Sequence, residues 1–225
     1  MLRIVVVDNH LIICEGLCTL INRESDMEIV GQGADGREAV ELAGRLRPDV
    51  MIIDVMMPGM NGLEATRVIR EQNNEVKIIA LSMYTDKRYV LGMLEAGASG
   101  YLLKDSAFSE LARAIRIVAS GKVYIAPSIA GLLVEDLAVR GSILGQAPKT
   151  KLSPREREII QLLAEGWSTR DISGKLFLSV KTVETHRRNI MHKVGVTTIA
   201  ELTRFAIKEG FTSLDLIDSG SRKSF

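Results

Sequence analysis

Two shortages narrow the class of protein: the sequence has few cysteines and no long apolar run. Its 225 residues include only Cys14 and Cys18, which lie one helical turn apart with no further cysteine in the chain. Such a pair is more typical of buried thiols than of a disulfide or a metal site. No apolar stretch approaches the roughly 20 residues that cross a bilayer, and the first residues do not fit a signal peptide. We therefore expect a cytoplasmic protein with no membrane partner.

Charge is distributed unevenly along a chain that has no repeat and no low-complexity tract. Residues 1–140 carry 15 lysines and arginines against 19 acidic residues, whereas residues 141–225 carry 14 against 9. The length suits two ordinary domains. An acidic front and a basic back suggest that only the C-terminal part contacts nucleic acid. Ordinary charge scatter explains the same asymmetry equally well, so a motif is needed to decide.

Short apolar runs alternate with helical patterns over the first half of the chain. Runs of this kind are typical of buried parallel strands joined by crossover helices. The predicted strands are 3–7, 28–32, 50–53, 77–81 and 100–103. The predicted helices are 10–22, 36–46, 62–70, 86–96 and 107–120. The pattern predicts an α/β fold with a doubly wound parallel five-stranded sheet and helices on both faces.

Four of the predicted strands end in polar residues that suit phosphoryl chemistry. Asp8, Asp54, Ser82 and Lys104 follow the first, third, fourth and fifth strands. Because the carboxyl ends of parallel strands share one edge of a sheet, we expect these side chains to converge on one crevice. The two acids and the Asn9 oxygen suit Mg²⁺, and the lysine and hydroxyl suit phosphoryl oxygens. Each residue alone is weak evidence, since strand-end acids are more often helix caps and lysines are usually solvated.

Glycines are present where turns need them and absent where a nucleotide site would need them. After Asp54, Pro58 fixes φ, and Gly59 and Gly62 are predicted to permit unusual backbone angles in a tight loop. No glycine-rich phosphate loop follows the first strand, which argues against an enzyme of flavodoxin-like fold. We therefore do not expect an enzyme.

The strand ends belong to longer motifs, which are Val7-Asp8, Ile53-Asp54-Val55-Met56-Met57-Pro58-Gly59, Ala80-Leu81-Ser82 and Gly100-Tyr101-Leu102-Leu103-Lys104. With these motifs, residues 1–120 resemble a bacterial two-component receiver domain. The resemblance implies a flavodoxin-like sheet of order 2-1-3-4-5 and a sensor histidine kinase as phosphodonor. Its implied reactive residues are Asp54 as phosphoacceptor, Ser82 and Tyr101 as switch residues, and Lys104. Its implied Mg²⁺ ligands are Asp8, Asn9, Asp54 and the backbone carbonyl of Met56.

Asn9 departs from the family pattern, which usually has two adjacent acids after the first strand. An amide keeps an oxygen ligand but loses a full charge, so weaker Mg²⁺ binding and slower phosphorylation are expected. Conventional phosphorylation is the favoured reading. The alternative is an atypical receiver in a phosphorylation-independent DNA-binding regulator that protein–protein contacts control.

The C-terminal part contains start signals for three consecutive helices. Ser153 and Glu156 form a capping box that opens the first helix. Ser168 caps a second helix, and Ser179 caps a third over 180–193. Two helices joined by a short turn, with basic residues on the second, are typical of a helix-turn-helix.

Polar and basic side chains lie on the outer side of the third predicted helix. The residues suited to base edges are Glu184, Thr185 and Arg188. The residues better placed for phosphates are Lys181, Thr182 and Arg187. The solvated face of an ordinary helix is an equally good explanation on periodicity alone.

Three longer matches decide between these explanations, and they are Leu152-Ser153-Pro154-Arg155-Glu156-Arg157-Glu158, Leu162-Leu163-Ala164-Glu165-Gly166 and Ser179-Val180-Lys181-Thr182-Val183-Glu184-Thr185-His186. The segment resembles the all-α four-helix helix-turn-helix domain of the NarL/LuxR/FixJ family. The resemblance implies double-stranded DNA as partner and a homodimer when active. The implied dimer residues are Ala200, Leu202 and Thr203. The predicted domains are a receiver over 1–122, a linker with a possible helix over 123–150, a LuxR-type domain over 151–212 and a tail over 213–225.

Overall fold

The computed structural model describes residues 1–72, 75–131 and 152–220. The chain divides into two units, an N-terminal unit over Met1–Leu144 and a C-terminal unit over Gly145–Phe225. All described strands belong to the N-terminal unit, whereas the described part of the C-terminal unit is helical. No helix in the described part of the chain has both the length and the apolar character needed to cross a membrane.

Parallel strands in the order β2-β1-β3-β4-β5-β6 form the sheet of the N-terminal unit. They are β1 (Leu2–Val7), β2 (Met27–Gly33), β3 (Val50–Asp54), β4 (Lys77–Ser82), β5 (Gly100–Leu103) and β6 (Tyr124–Ile125). Every residue of β3 is buried, as expected for a central strand with both faces covered. The first five strands match the prediction. The two-residue β6 extends the predicted five-stranded sheet at the start of the predicted linker.

Helices connect the successive strands of this sheet. They are α1 (Leu11–Ile21), α2 (Gly36–Leu46), α3 (Gly62–Gln72), α4 (Lys87–Glu95) and α5 (Lys104–Ala119). Local chemistry explains where α2 begins, because the Asp35 side chain accepts hydrogen bonds from two backbone N–H groups of its first turn. The last helix, α5, starts at Lys104, three residues before the predicted start. The lysine therefore lies at the junction between strand and helix.

Gly62 lets α3 start directly against the end of β3. A Cβ atom there would lie 2.0 Å from the carbonyl oxygen of Asp54, closer than atoms can approach. Close approach is thus the reason for this glycine, which is not among the described residues with positive φ. Gly59 does have a positive φ, of 85°, as predicted for a tight loop.

Both cysteines lie on the buried side of α1 as free thiols. Burial raises the pKa of the Cys14 thiol, and it raises the pKa of Cys18 to about 12. These thiols are therefore protonated and unreactive in the folded unit, as expected for a buried pair.

The helices of the C-terminal unit are α6 (Pro154–Ala164), α7 (Thr169–Leu176), α8 (Val180–Val194), α9 (Ile199–Lys208) and α10 (Leu214–Gly220). The predicted caps are confirmed: Ser153 and Ser168 each form a capping box, and the Ser179 side chain accepts a hydrogen bond from the N–H of Thr182. A buried apolar cluster that includes Ile159, Leu162, Ile172, Val183, Ile190 and Leu202 holds the helices together. The prediction of four helices omitted α10, which lies where a tail was predicted.

The predicted linker is only partly described. Residues 127–131 are helical, which agrees with the start of the helix predicted over 128–139. The rest of that helix and of the linker lies outside the described residues.

Candidate functional site

The register of the sheet brings two acidic strand ends to the same level. Val7 pairs with Ile53 on the neighbouring strand, so Asp8 and Asp54 leave β1 and β3 side by side. Each of these acids is only 3% exposed. Two carboxylates buried this deeply need a cation or a proton to offset the loss of hydration.

Lys104 supplies the cation. Its Nζ lies 2.7 Å from Asp8 Oδ2 and 2.8 Å from Asp54 Oδ2, and the residue is 4% exposed. Burial raises the pKa of the Asp54 carboxyl to about 6; the Lys104 charge opposes this rise and the Asp8 charge adds to it. One lysine carries a single positive charge against two carboxyl groups, so the crevice is a candidate site for a further cation.

Asn9 and Met56 complete the inner wall of the crevice. The end of the Asn9 side-chain amide lies 3.2 Å from both Asp54 Oδ2 and the Met56 carbonyl oxygen, and hydrogen bonding to these two acceptors favours assigning its nitrogen to that position. The backbone N–H of Met56 donates to the other Asp54 oxygen, Oδ1, at 3.2 Å. The side chain of Asn9 therefore presents a donor to oxygens that could otherwise hold a cation.

His10 borders the crevice and was missed from the sequence. Its Nδ1 lies 3.1 Å from Asp8 Oδ1 and 3.9 Å from Asp54 Oδ2, and its side chain is 56% exposed. Its backbone N–H also donates to Asp8 Oδ1, at 2.8 Å. The strand-end pattern considered only the residues directly after a strand, whereas His10 is two residues beyond Asp8, where the loop enters α1. The position of His10 only two residues after Asp8 was the signal in the sequence that could have placed it at the crevice.

One residue of the loop after β4, Tyr84, links the end of β4 to a side chain of β5. The Tyr101 hydroxyl donates to the carbonyl oxygen of Tyr84 at 3.0 Å, and Ser82 Oγ accepts from the N–H of Tyr84 at 3.0 Å. Burial raises the pKa of Tyr101 to about 12, so the phenol remains a donor at neutral pH. Both polar groups are thus bonded to the loop that follows β4.

The candidate nucleic-acid surface lies on the outer side of α8. Val183 and Ile190 are fully buried and anchor the helix in its unit. The exposed residues are Lys181, Glu184, Thr185, Arg187 and Arg188, and Thr182 is half-buried. Lys181, Glu184, Thr185 and Arg188 therefore share one accessible side of a helix whose position in its unit is fixed, and Thr182 and Arg187 flank that side.

Polar contacts from α6 hold α7 and α8 in place. Lys193, in the last turn of α8, lies 2.7 and 2.9 Å from the two carboxylate oxygens of Glu156. Arg155 pairs with Glu158 at 2.6 Å and donates to the carbonyl oxygen of Leu176 at 2.5 Å, at the end of α7. Because Glu156 and Glu158 are each 6% exposed, these contacts also satisfy buried charges.

Two family models match the chain. A response regulator receiver domain matches residues 4–116, and the luxR family of bacterial regulatory proteins matches residues 150–206. The chain belongs to the LuxR family of response regulators. It is therefore a transcription regulator that combines a receiver with a DNA-binding helix-turn-helix domain, in which α7 and α8 form the two helices of the motif.

Relatives of this response regulator match it over 61% to 94% of its length. Oxygen regulatory protein NreC of Staphylococcus epidermidis is 39% identical over 213 residues, which cover 92% of this chain and 98% of the relative. A LuxR-family two-component response regulator from Aurantimonas sp. SI85-9A1 is 36% identical, covers 61% of this chain and 99% of that chain, and gives a TM-score of 0.59. RcsB of Salmonella enterica serovar Typhimurium, solved with promoter P1flhDC and the phosphomimetic BeF3⁻, is 25% identical. The match covers 94% of this chain and 99% of the RcsB chain, and it gives a TM-score of 0.59.

The predicted dimer residues of the LuxR-type domain differ in burial. Ala200 is exposed and Thr203 is half-buried. Leu202 is fully buried within the apolar core of its own domain, so the prediction that it lies on a dimer surface is wrong. Helical periodicity turns Leu202 inward while its neighbours face outward.

Proposed function

We propose that this regulator accepts a phosphoryl group on Asp54 in a Mg²⁺-dependent reaction, and that phosphorylation controls dimerisation and sequence-specific DNA binding. The observation that carries the proposal is the position of the Lys104 ammonium, within 2.8 Å of both buried acids. A buried lysine beside the acceptor carboxylate can bind the incoming phosphoryl oxygens. The Salmonella relative supports the link to DNA, since it was solved with promoter DNA and a phosphomimetic.

The reaction transfers a phosphoryl group from a sensor histidine kinase. An Asp54 carboxylate oxygen attacks the phosphorus of the kinase phosphohistidine; the new P–O bond forms as the P–N bond breaks, and the leaving imidazole nitrogen keeps the electron pair. Lys104 neutralises charge on the transferred oxygens, because phosphoryl transfer depends on positioning and electrostatics. Asp54 must be ionised to attack, so its pKa of about 6 allows the reaction at neutral pH.

The residues of the crevice fit a Mg²⁺ ion. Asp8 Oδ2 is buried and, although Lys104 Nζ lies 2.7 Å away, it forms no hydrogen bond of acceptable geometry. Asp8, Asp54, the Met56 carbonyl and the Asn9 side-chain oxygen would hold the ion, which would supply charge neutralisation at the phosphoryl oxygens. The end of the Asn9 amide lies 3.2 Å from Asp54 Oδ2 and the Met56 carbonyl oxygen, where its oxygen would face the ion.

The phosphoryl group is read through the loop after β4. Ser82 Oγ now accepts from the N–H of Tyr84, and a phosphoryl oxygen on Asp54 gives that hydroxyl a charged acceptor instead. Loss of the Ser82–Tyr84 bond frees the loop, which also holds the Tyr101 hydroxyl. Tyr101 then follows the loop, and the altered surface favours the dimer.

The deciding experiment is the intact mass of the full-length protein after incubation with acetyl phosphate, with and without Mg²⁺. We expect the wild type to gain one phosphoryl group only with Mg²⁺, and Asp54→Asn to gain none. Asp49→Asn is the matched control: Asp49 is an exposed acid just before β3, at the opposite end from Asp54, and asparagine keeps an acceptor for the N–H of Arg3. A gain in Asp54→Asn, or none in Asp49→Asn, would refute the assignment.

A second candidate is a phosphorylation-independent regulator controlled by protein–protein contacts. The observation that favours it is the uncharged Asn9 amide, which lies 3.2 Å from Asp54 Oδ2 where the family usually has a second acid. Asn9→Asp separates the two functions, since it restores the family's second acid. If the wild type gains no mass with either acetyl phosphate or a kinase and Asn9→Asp does, the second function is correct.

DNA sequence is read by the outer side of α8. Arg188, with Glu184 and Thr185, is proposed to contact bases, and Lys181, Thr182 and Arg187 are proposed to contact phosphates. On a preferred site selected from random DNA, Arg188→Ala should lose about 1 to 3 kcal/mol of discrimination against mismatched bases. Lys181→Ala should weaken binding to all sequences and reduce the salt dependence by about one charge. Equal behaviour of the two variants would contradict the division of roles.

The dimer surface is proposed to lie on the exposed side of α9, around Ala200 and Thr203. Ile199 is 39% exposed on the same helix and adds apolar area. Ala200→Glu should prevent dimerisation of the phosphorylated protein in analytical ultracentrifugation and leave its circular dichroism unchanged. A variant that still dimerises would move the interface elsewhere.

A further inference from the structure

We propose that Phe177 and Val180, which flank the turn between α7 and α8, form an apolar contact with DNA that recognises the 5-methyl groups of thymine. The inference rests on the proposed reading of DNA by α8. It adds two residues whose side chains carry no charge and form no hydrogen bond. Neither belongs to the sets of base-contacting and phosphate-contacting residues assigned above.

Phe177 is exposed to an unusual degree for an aromatic residue. It is 91% exposed, the highest value among the large apolar residues of the described part of the chain. A phenyl ring in solvent forfeits the stabilisation that burial in a core would give. Phe205 and Phe211 of the same domain instead pack together, with their ring centroids 6.2 Å apart. Packing of the domain therefore does not explain the ring of Phe177.

The backbone of Phe177 also lies in a conformation that disfavours a phenylalanine. Its φ is 54° and its ψ is 41°, in the left-handed region that glycine or asparagine usually occupies at the end of a helix. The N–H of Leu178 donates to the carbonyl oxygen of Ser173 at 3.0 Å and holds this helix end closed. Glycine would allow the same turn with less strain. Strain and exposure at one residue together indicate that its side chain serves a contact outside the domain.

Val180 continues the apolar surface onto α8. It is the first residue of that helix and is 42% exposed. Glu184 follows one turn later, so the two side chains lie on the same side of α8. The start of the helix is fixed in place, because Ser179 Oγ accepts a hydrogen bond from the N–H of Thr182 at 3.0 Å. Val180 is therefore held beside a residue that is proposed to contact bases.

The position of the two residues identifies DNA as their partner. In a helix-turn-helix, the N-terminal residues of the second helix contact base edges in the major groove. The turn that leads into this helix therefore borders the groove as well. Lys181 is exposed directly after Val180, and its charge attracts phosphates. The centre of a protein–protein interface is instead depleted of charged residues. An apolar pair that continues a basic DNA-binding helix thus fits DNA better than it fits an apolar protein.

The chemistry of the two side chains selects thymine. Thymine presents a 5-methyl group in the major groove, which the other three bases lack. Phenyl and isopropyl groups read no pattern of donors and acceptors, but they remove such a methyl group from water. One buried methyl group should strengthen binding by about fourfold. The pair therefore adds a preference for thymine to the hydrogen-bonding pattern read by the rest of α8.

The test replaces thymine with uracil, one position at a time, in the preferred site selected from random DNA with the full-length protein. Uracil keeps the hydrogen-bonding groups of thymine and lacks the methyl group. In fluorescence anisotropy, we expect uracil at one or more positions to weaken wild-type binding by about fourfold. Phe177→Gly and Val180→Ala should each bind the thymine site more weakly and lose the sensitivity to uracil at one of these positions. Leu214→Ala, which shortens an exposed apolar residue of α10 in the same domain, is the matched control and should behave as wild type.

Folding is checked separately from DNA binding. Glycine accommodates the positive φ of residue 177, so the urea midpoint of Phe177→Gly should equal or exceed that of the wild type. The fluorescence of Trp167, in the same domain, measures this midpoint. Weaker DNA binding by a variant that is at least as stable as the wild type is then due to loss of the ring.

Three results would overturn the inference. Equal wild-type affinity for thymine and uracil at every position shows that no methyl group is recognised. Uracil sensitivity that persists in both variants assigns the methyl contact to another residue, such as Thr185. A Phe177→Gly protein that binds DNA as the wild type does but fails to regulate transcription in vitro assigns the ring to a protein partner.

Arg188→Ala distinguishes failure of this inference from failure of the proposed reading of DNA by α8. If Arg188→Ala loses base discrimination while uracil has no effect on the wild type, α8 reads DNA and the apolar pair does not. If Arg188→Ala keeps full discrimination, the proposed role of Arg188 is wrong, and the uracil series still decides whether Phe177 and Val180 contact thymine.

Discussion

The buried charge of Asp54 should make the metal-free receiver less stable at neutral pH than in mild acid. Burial raises the pKa of this carboxyl from 3.8 to about 6. A shift of about two units corresponds to about 3 kcal/mol. Because the folded pKa exceeds the unfolded pKa, the penalty is absent below about pH 4, grows as the pH rises to about 6, and is complete above it. Asp54→Asn removes the ionisable group, so it should raise the free energy of unfolding by up to about 3 kcal/mol at neutral pH and by little at about pH 4.

Urea unfolding of the full-length protein in EDTA measures this difference. Far-UV circular dichroism follows both domains, and the fluorescence of Trp167, the only tryptophan, follows the LuxR-type domain alone. The unfolding transition of the receiver is therefore the part of the circular dichroism change that has no counterpart in the fluorescence. Asp49→Asn controls for the loss of an exposed acid. A stabilisation that does not depend on pH, or one that grows toward acid, would refute the assignment of the penalty to the Asp54 charge.

Three further substitutions test the ion pairs and one helix. Lys104→Met leaves two buried acids without their cation and should lower the free energy of unfolding of the receiver by about 3 to 5 kcal/mol at neutral pH. Thermal unfolding in EDTA should show that this loss becomes smaller in acid. A loss that is constant with pH contradicts the pairing of Lys104 with the two acids. Gly174→Ala should stabilise the LuxR-type domain by about 1 kcal/mol, because a Cβ there meets no atom within 4 Å inside a helix. If the urea midpoint of Gly174→Ala, measured by Trp167 fluorescence, is equal to or lower than that of the wild type, the predicted stabilisation is wrong. Lys193→Met removes the ion-pair partner of Glu156, whose carboxylate keeps the N–H of Ser153, and should destabilise the same domain by about 1 kcal/mol. If adding Glu156→Gln restores none of the loss, the ion pair is not its source.

Local chemistry explains why much of the fold was predictable. Each cap that the sequence indicated depends on a side chain and a backbone N–H a few residues away, as with Ser153 and Glu156. The central strands of the receiver, β3 and β4, are buried on both faces, so they are continuous apolar runs that stand out from the helices between them. Strand ends in a parallel sheet share one edge, which is why residues as distant in sequence as Asp8 and Lys104 could be expected together.

The remaining features depend on three-dimensional contacts that no local pattern contains. The two residues of β6 are too short for a periodicity and pair only because β5 offers an open edge. The direction of the Asn9 amide follows from the oxygens that surround it, one of which is a backbone carbonyl. Leu202 faces the core because of where α9 packs, and helical spacing alone does not say which side of an isolated helix will be covered.

The two cysteines of α1 allow local separation of this helix from the receiver sheet to be measured by thiol labelling. Cys14 and Cys18 are the only thiols in the chain, and both are buried with a raised pKa. A thiol-specific reagent therefore modifies them only in molecules whose α1 has locally separated from the sheet. The labelling rate at high reagent concentration then equals the rate of that separation. Because the LuxR-type domain has no thiol, this rate reports on one half of the molecule only, with no engineered probe, even while the other half is bound to DNA.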